Sequence, residues 1–371
     1  MSGSFHAMRF VPLALLTGVI AAFAWQAPAI AASSSLIPQY ANLVTTGVGP
    51  IAVGFNTNTN RVYVANLGSL ANPASSVTVL DGTTDEVLAT IPVSDTAPPN
   101  GYLSGAGALA VDETHNLIYV DMNNGALVTI DGATNAQINS FTFNINHTNA
   151  FSNGMVMSNK TGYIYYLAQG QPGGTNTIIV FNPATQTVVA QIDDEDESFI
   201  AIDQSTNTIY VTNYFGATLW VINGNTNELT DIISGIGVPF APDLCWLGRT
   251  PCVEQGSEID GVAVDETLHR VYTFGSQGGL VATIDSTTNS VLAVKYISSN
   301  QPFGAVDPAN HAVYSISDVY GSLTVTDGTT DNIVAYNLLY YGGPAPFGIG
   351  INPATQKMYL FANQVLILKV P

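Results

Sequence analysis

The chain has 371 residues, 46% of them hydrophobic and 9% charged, with a formal net charge of -19. That composition is able to bury a core and excludes a disordered chain. Eight Lys and Arg against 27 acids leave no basic patch, which argues against nucleic acid or an anionic membrane surface as a partner.

At the N-terminus Arg9 precedes an apolar run from Phe10 to Trp25, followed by Ala29-Ile30-Ala31, the small-x-small pattern of a signal-peptidase site. Residues 1–31 therefore read as a removed secretion signal. The competing reading is a retained anchor, but the run falls short of the roughly 20 residues a span needs. Removal takes away Arg9 and no acid, moving the formal charge from -19 to -20. No later run has the character of a membrane span, so the mature chain is expected in the periplasm or outside the cell.

Beyond the signal one sentence is written seven times. Its clearest copy, residues 198–235, reads SFIAID, QSTNT, IYVTN, YFGA, TLWVIN, GNTNE, LTDIISG. The four apolar runs are too short and too β-branched for helices, and the Asn, Gly, Thr and Ser between them favour turns. One copy is thus four antiparallel strands. Copies are expected near 48–93, 105–143, 153–192, 198–235, 259–297, 302–339 and 346–371.

Each second strand carries a tyrosine at one register: Tyr63, Tyr119, Tyr165, Tyr210, Tyr272, Tyr314 and Tyr359. The spacings of 56 and 62 among others of 42 to 46 mark insertions after the first and fourth copies. Between third and fourth strands, an acid or amide precedes threonine by three residues, as in Asp81-Gly82-Thr83-Thr84 and Asp327-Gly328-Thr329-Thr330. These read as tight hairpins with the glycine at positive φ, and the acids as structural punctuation. The seventh copy holds only three strands. Residues 40–46 can supply the fourth, closing the ring and covering both edges. The expectation is an all-β, single-domain, seven-bladed β-propeller over 32–371, closed by its N-terminal strand.

Tyr210-Val211-Thr212-Asn213 and the Asp-Gly-x-Thr turns resemble the YVTN family of propeller repeats, found in exported bacterial proteins and archaeal surface-layer proteins. The resemblance spans nearly the whole mature chain. It implies the fold and export, and carries no catalytic residues. Propellers of similar size include lactonases and streptogramin lyases, which use metal-binding carboxylates or a histidine at the channel mouth.

In a propeller the loops between blades and those joining second to third strands share one face, where ligands usually bind. Tyr102, Phe151, Phe240, Trp246, Tyr340 and Tyr341 belong to its loops, and an aromatic rim with few charges suits sugars, peptides or a partner protein. Blade-to-blade packing is the alternative for each ring. The acidic run Asp193-Asp194-Glu195-Asp196-Glu197 reads either as a solvated loop or as a Ca²⁺ site through Asp193, Asp194 and Asp196. It lacks the alternating Asp-x-Asp-x-Asp-Gly pattern.

His147 is the mature histidine on this face and the candidate general base or metal ligand, whereas His115, His269 and His311 fall in turns of the opposite face. Asp121, Asp260 and Asp318 are further candidates for the channel mouth. Cys245 and Cys252 are expected to form a disulfide, which closes a short loop and adds about 2.5 kcal/mol at most. No GxSxG elbow appears. The sequence thus points to an exported monomer that binds a protein, sugar or other small molecule through its loop-rich face, with no cofactor identified. The runner-up is a metal-assisted lyase or hydrolase of lactonase type at the channel mouth.

Overall fold

The computed structural model describes residues 34–371, except for 70–73, 95–104, 144–153, 169–175, 195–196, 215, 238–257, 277–278, 298–299, 320, 337, 339–345 and 347. A short 3-10 turn, Ser34–Leu36, leads into strand Gln39–Val44. From there the β-branched and aromatic runs of each repeat pair as antiparallel neighbours, giving seven four-stranded sheets.

Taken from the inner to the outer strand, blade 1 is Pro50–Asn56, Arg61–Asn66, Ser76–Asp81 and Val87–Pro92. Blade 2 is Leu109–Asp112, Leu117–Asp121, Ala126–Asp131 and Ala136–Thr142. Blade 3 is Met155–Met157, Ile164–Ala168, Asn176–Asn182 and Thr187–Asp194. Blade 4 is Glu197–Asp203, Thr208–Asn213, Thr218–Asn223 and Glu228–Ile233. Blade 5 is Ile259–Asp265, Arg270–Gly275, Leu280–Asp285 and Ser290–Tyr296. Blade 6 is Phe303–Asp307, Ala312–Ile316, Leu323–Asp327 and Asn332–Ala335. Blade 7 is Gly348–Asn352, Lys357–Phe361 and Val365–Lys369, completed by Gln39–Val44 against Val365–Lys369.

Each inner strand touches the inner strands of the blades on either side, and the contact of blade 7 with blade 1 closes the ring. The chain folds as a seven-bladed β-propeller.

Burial follows from the layering. Second and third strands lie between two neighbouring blades, so both faces are covered and they read as continuous apolar runs, with Val62, Tyr63 and Val64 all at 0% exposure. Outermost strands have one face open, leaving Val87, Leu88, Ile138 and Leu292 in water. In blades 1 to 6 the pairing of third and fourth strands slips by one residue at an equivalent place, such as Val79/Leu80 and Thr283/Ile284. These bulges strengthen the twist that lets each blade splay outward from the axis.

The turn beside each bulge departs from the sequence expectation. Glycines 82, 132, 224 and 328 do not take positive φ; the fifth residue of the turn does, as in Asp85, Asn135, Asn227 and Asp331 at 54–63°. The carboxylate holds the rest of the turn, with Asp81 Oδ1 accepting from the Thr83 and Thr84 N–H groups at 2.9 and 3.0 Å. These backbone bonds pull the Asp81 and Asp285 carboxyls below the usual range.

Glycine is there for close approach. A Cβ at Gly328 would lie 2.6 Å from the Tyr272 hydroxyl, and one at Gly132 would lie 2.8 Å from that of Tyr63. The Tyr272 hydroxyl donates to the Gly328 carbonyl, and the Tyr165 hydroxyl to that of Gly224 at 3.1 Å. The two markers of the repeat therefore meet across the seam between one blade and the next. At the closing seams Tyr314 donates to the Leu36 carbonyl at 3.1 Å, and Lys357 Nζ reaches Asp85 Oδ1 at 2.7 Å.

Candidate functional site

Connections from outer to inner strands and from second to third strands arrive at the same end of the ring. At that mouth the start of the inner strands encloses a pocket of about 500 Å³, lined by Pro50, Ile51, Leu67, Phe199, Phe303 and Asn363 among others. Its character is apolar, because the inner strands present Ile, Phe, Ala and Gly there.

Phe199 and Phe303 form the pocket's floor. They come from blades 4 and 6, with blade 5 between, and their rings meet edge to face at 5.7 Å and 78°. The blade 4 inner strand bulges between Glu197 and Ile200, beside Phe199, which re-aims that ring. Beneath the pair lies a cavity of about 260 Å³, lined by Phe55, Val262, Ile349 and Phe361 among others.

Ionisable groups gather on the blade 5 and 6 side of the same face. Glu258 and Asp260 flank the first residue of the blade 5 inner strand and are almost fully buried. Tyr214, from blade 4, donates its hydroxyl to Glu258 Oε2, and Ser276 Oγ lies 3.3 Å from the same oxygen. The Ser276 N–H donates to Asp260 Oδ2 at 2.8 Å. Burial pushes the Asp260 carboxyl up to about 7, and the charges of Glu258 and Asp318 add to the rise. Burial also raises Asp318, whose Oδ1 is enclosed without a hydrogen bond, while the Asn300 side chain opposes the rise. Asp260 thus exchanges a proton near neutrality beside a carboxylate that already accepts two hydroxyl donors.

Of the sequence candidates for the mouth, the structure couples Asp260 with Asp318, while Asp121 ends the second strand of blade 2 at the same end of the ring, bonded through its backbone to Gly107 and Ala108 of the pocket wall. Asp121 is buried at the seam of blades 2 and 3, accepting the Tyr166 hydroxyl at 2.8 Å. Asp193 and Asp194 continue the outer strand of blade 3, paired with Thr177 and Asn176, and Asp193 is exposed. The acidic run is therefore strand at both ends, with Glu197 already in blade 4. His147, Tyr102, Phe151, Phe240, Trp246, Tyr340, Tyr341, Asp196, Cys245 and Cys252 lie outside the described residues.

Among the described residues no group of three or more His, Cys, Asp or Glu is placed to hold a metal ion. No described helix is long and apolar enough to cross a membrane.

Sequence reasoning missed Phe199, Phe303, Glu258, Tyr214 and Ser276. The available signal was positional: Phe199 and Phe303 are aromatic at inner-strand starts where blades 1 and 7 have Ala52 and Gly348. Neither protein-family models nor curated proteins give a match to this chain.

Proposed function

We propose that this propeller is an exported binding module of YVTN type whose loop-rich face takes the apolar or aromatic part of a protein, sugar or other small-molecule ligand into the channel mouth. The supporting observation is the 500 Å³ apolar pocket closed below by Phe199 and Phe303. A concave, preformed, largely apolar space with a few polar groups at its edge is what small ligands select. The repeated acids do not compete for this role, since backbone N–H groups already occupy them.

Melting temperature is the first measurement, taken with a panel of sugars, lactones and aromatic peptides. A ligand at 100 times its dissociation constant adds about 2.7 kcal/mol. The reading expects Phe303→Ala to remove the shift. A shift that survives both Phe199→Ala and Phe303→Ala overturns it.

A second reading, lyase or hydrolase chemistry, draws support from Asp260, whose pKa of about 7 beside Glu258 suits proton transfer. Turnover of a lactone that collapses in Asp260→Asn, with binding retained, would favour it. Export, a Cys245–Cys252 disulfide and Ca²⁺ held by Asp193, Asp194 and Asp196 are parts of the main proposal. N-terminal sequencing of secreted protein, mass spectrometry without reductant, and melting with and without a chelator test them in turn.

A further inference from the structure

The turns joining inner to second strands lie on the face opposite the loop-rich mouth, and there another set of contacts joins the blades. Inner strands end in a short polar residue, which reaches the next blade's turn residue at positive φ. Asn56 Nδ2 donates to Asn116 Oδ1 at 2.9 Å, Ser158 Oγ to Asn207 Oδ1 at 2.5 Å, and His311 Nδ1 lies 2.7 Å from Asp265 Oδ2. With the tyrosine bonds of Tyr165 and Tyr272, this fastens the seams of blades 3 and 4 and of blades 5 and 6 twice.

Between blades 2 and 3 both fastenings are missing. The left-handed turn position of blade 3 is Gly162, at φ 72°, which has no side chain to offer Asp112. Asp112 Oδ2 pairs instead with His115 Nδ1 of its own turn at 2.7 Å. At the tyrosine contact, blade 3 has Pro183 where blades 1, 2, 4 and 6 have glycine. Proline carries a Cβ where Gly328 and Gly132 have no room for one and, unlike Ser286 of blade 5, offers the neighbouring tyrosine no hydroxyl. The seam consequently stays open as a pocket of about 550 Å³.

What faces this pocket is a set of unused donors over an apolar wall. Tyr119 is 5% exposed, yet its hydroxyl has no hydrogen bond among the described residues. Burial pushes that phenol up to about 12, so it remains a donor. Lys160 is exposed at the pocket's edge and makes no ion pair among the described residues, whereas the less exposed Arg61, Arg270 and Lys357 each hold an aspartate. The one carboxylate at the site is taken, because Asp112 Oδ1 accepts the Thr114 and His115 N–H groups at 3.0 Å each. Leu117, Met157, Pro183 and the Tyr119 ring supply the apolar wall.

We infer that the open seam between blades 2 and 3 is a second ligand site, which takes a small monocarboxylate with an apolar body. The carboxylate receives the Tyr119 hydroxyl and the Lys160 ammonium, and the body lies against Leu117, Met157 and Pro183. An acceptor-only group matches donors that have no acceptor left beside them.

Benzoate and phenylacetate are titrated into the full chain by calorimetry, with benzamide and phenylacetamide as their uncharged counterparts. The acids bind with a dissociation constant on the order of 1 mM or below and more tightly than the amides. Tyr119→Phe and Lys160→Met each weaken the acids about 10-fold, the size expected for losing a hydrogen bond to a charged group. Phe303→Ala, at the other mouth, leaves the affinity unchanged, which separates this site from the channel pocket. Tyr119→Phe also keeps the wild-type melting temperature, since its hydroxyl has no partner to lose. Equal binding of acids and amides, no saturation by either acid at about 10 mM, an affinity indifferent to both substitutions, or a Tyr119→Phe variant that melts early would each overturn the inference.

Discussion

The Tyr272 hydroxyl lies 3.0 Å from the Gly328 carbonyl and donates to it, tying a strand of blade 5 to a turn of blade 6. The same two positions recur along the chain, so the contact is the repeat's own joint between modules. Gly328→Ala would set a methyl 2.6 Å from that hydroxyl and 2.5 Å from the His311 carbonyl oxygen. Urea unfolding is expected to show a loss of about 1–3 kcal/mol for Gly328→Ala, the cost of overpacking. Tyr272→Phe should lose about 1–2 kcal/mol. Combined, the two should lose less than their sum, because the phenylalanine removes one of the atoms that the new methyl meets.

Phe199 and Phe303 make a contact between blades that are not neighbours. A double-mutant cycle with alanine at each position is expected to give a coupling of about 0.5–1.5 kcal/mol, the usual worth of an edge-to-face pair. Either single variant joins the mouth pocket to the cavity below, since both rings line both spaces. Uptake of an apolar fluorescent dye should therefore rise in Phe199→Ala and Phe303→Ala. Unchanged dye binding in both would mean that the rings do not divide the channel.

Asp260 makes stability depend on pH in a stated direction. Its carboxyl holds a proton in the folded chain up to about pH 7, while in the unfolded chain it ionises near the ordinary aspartate value. Between these limits the folded state binds more protons, so stability falls as pH rises and levels off above the folded value. Tyr214, Glu258 and Asp318 are the titratable groups that face it. Unfolding by urea at intervals from pH 4.5 to 8 is expected to show a decline on the order of 2–4 kcal/mol in the wild type. Asp260→Asn should flatten that slope and be the more stable of the two at the alkaline end. An equal slope in both would place the titration elsewhere.

Leu36 is buried against blades 6 and 7, and its carbonyl receives the Tyr314 hydroxyl. Leu36→Ala is expected to cost about 2–4 kcal/mol. Deleting 32–46 should cost more, because it also leaves the Val365–Lys369 edge unpaired. Thermal melting checks both; an unchanged melting temperature after the deletion would show that the ring does not depend on this strand.

The architecture was legible because strand period and turn chemistry are local, and seven copies average out local irregularity. The tyrosine register and the Asp-x-x-Thr turn were visible as markers, but not that they touch each other, since that contact joins separate blades. Glycine in the turn looked like a residue chosen for φ; its reason is close approach, to the neighbouring blade's tyrosine at Gly132 and Gly328 and to an asparagine at Gly82 and Gly224, which no local pattern encodes. The site was less legible for the same cause. Phe199 and Phe303 are separated by a whole blade, and Glu258, Tyr214 and Ser276 come from two blades. Asp260 and Asp318 stood among the candidates because acids at a mouth attract notice, whereas the burial that tunes them comes from packing. Pro183 and Gly162 were present in the text as small departures from the repeat, and their shared consequence depends on both lying at one seam.

The pairing of Gln39–Val44 with Val365–Lys369 joins the earliest described strand to the last. More than 300 residues separate the two, so the loop they close spans nearly the whole ring. A ribosome releases the first of these strands long before its partner exists. Blades 1 to 6 can each assemble from a contiguous stretch, but the seventh waits for synthesis to reach residue 369. Until then the chain carries an open edge at both ends of an incomplete circle, a period in which a chaperone has unhindered access.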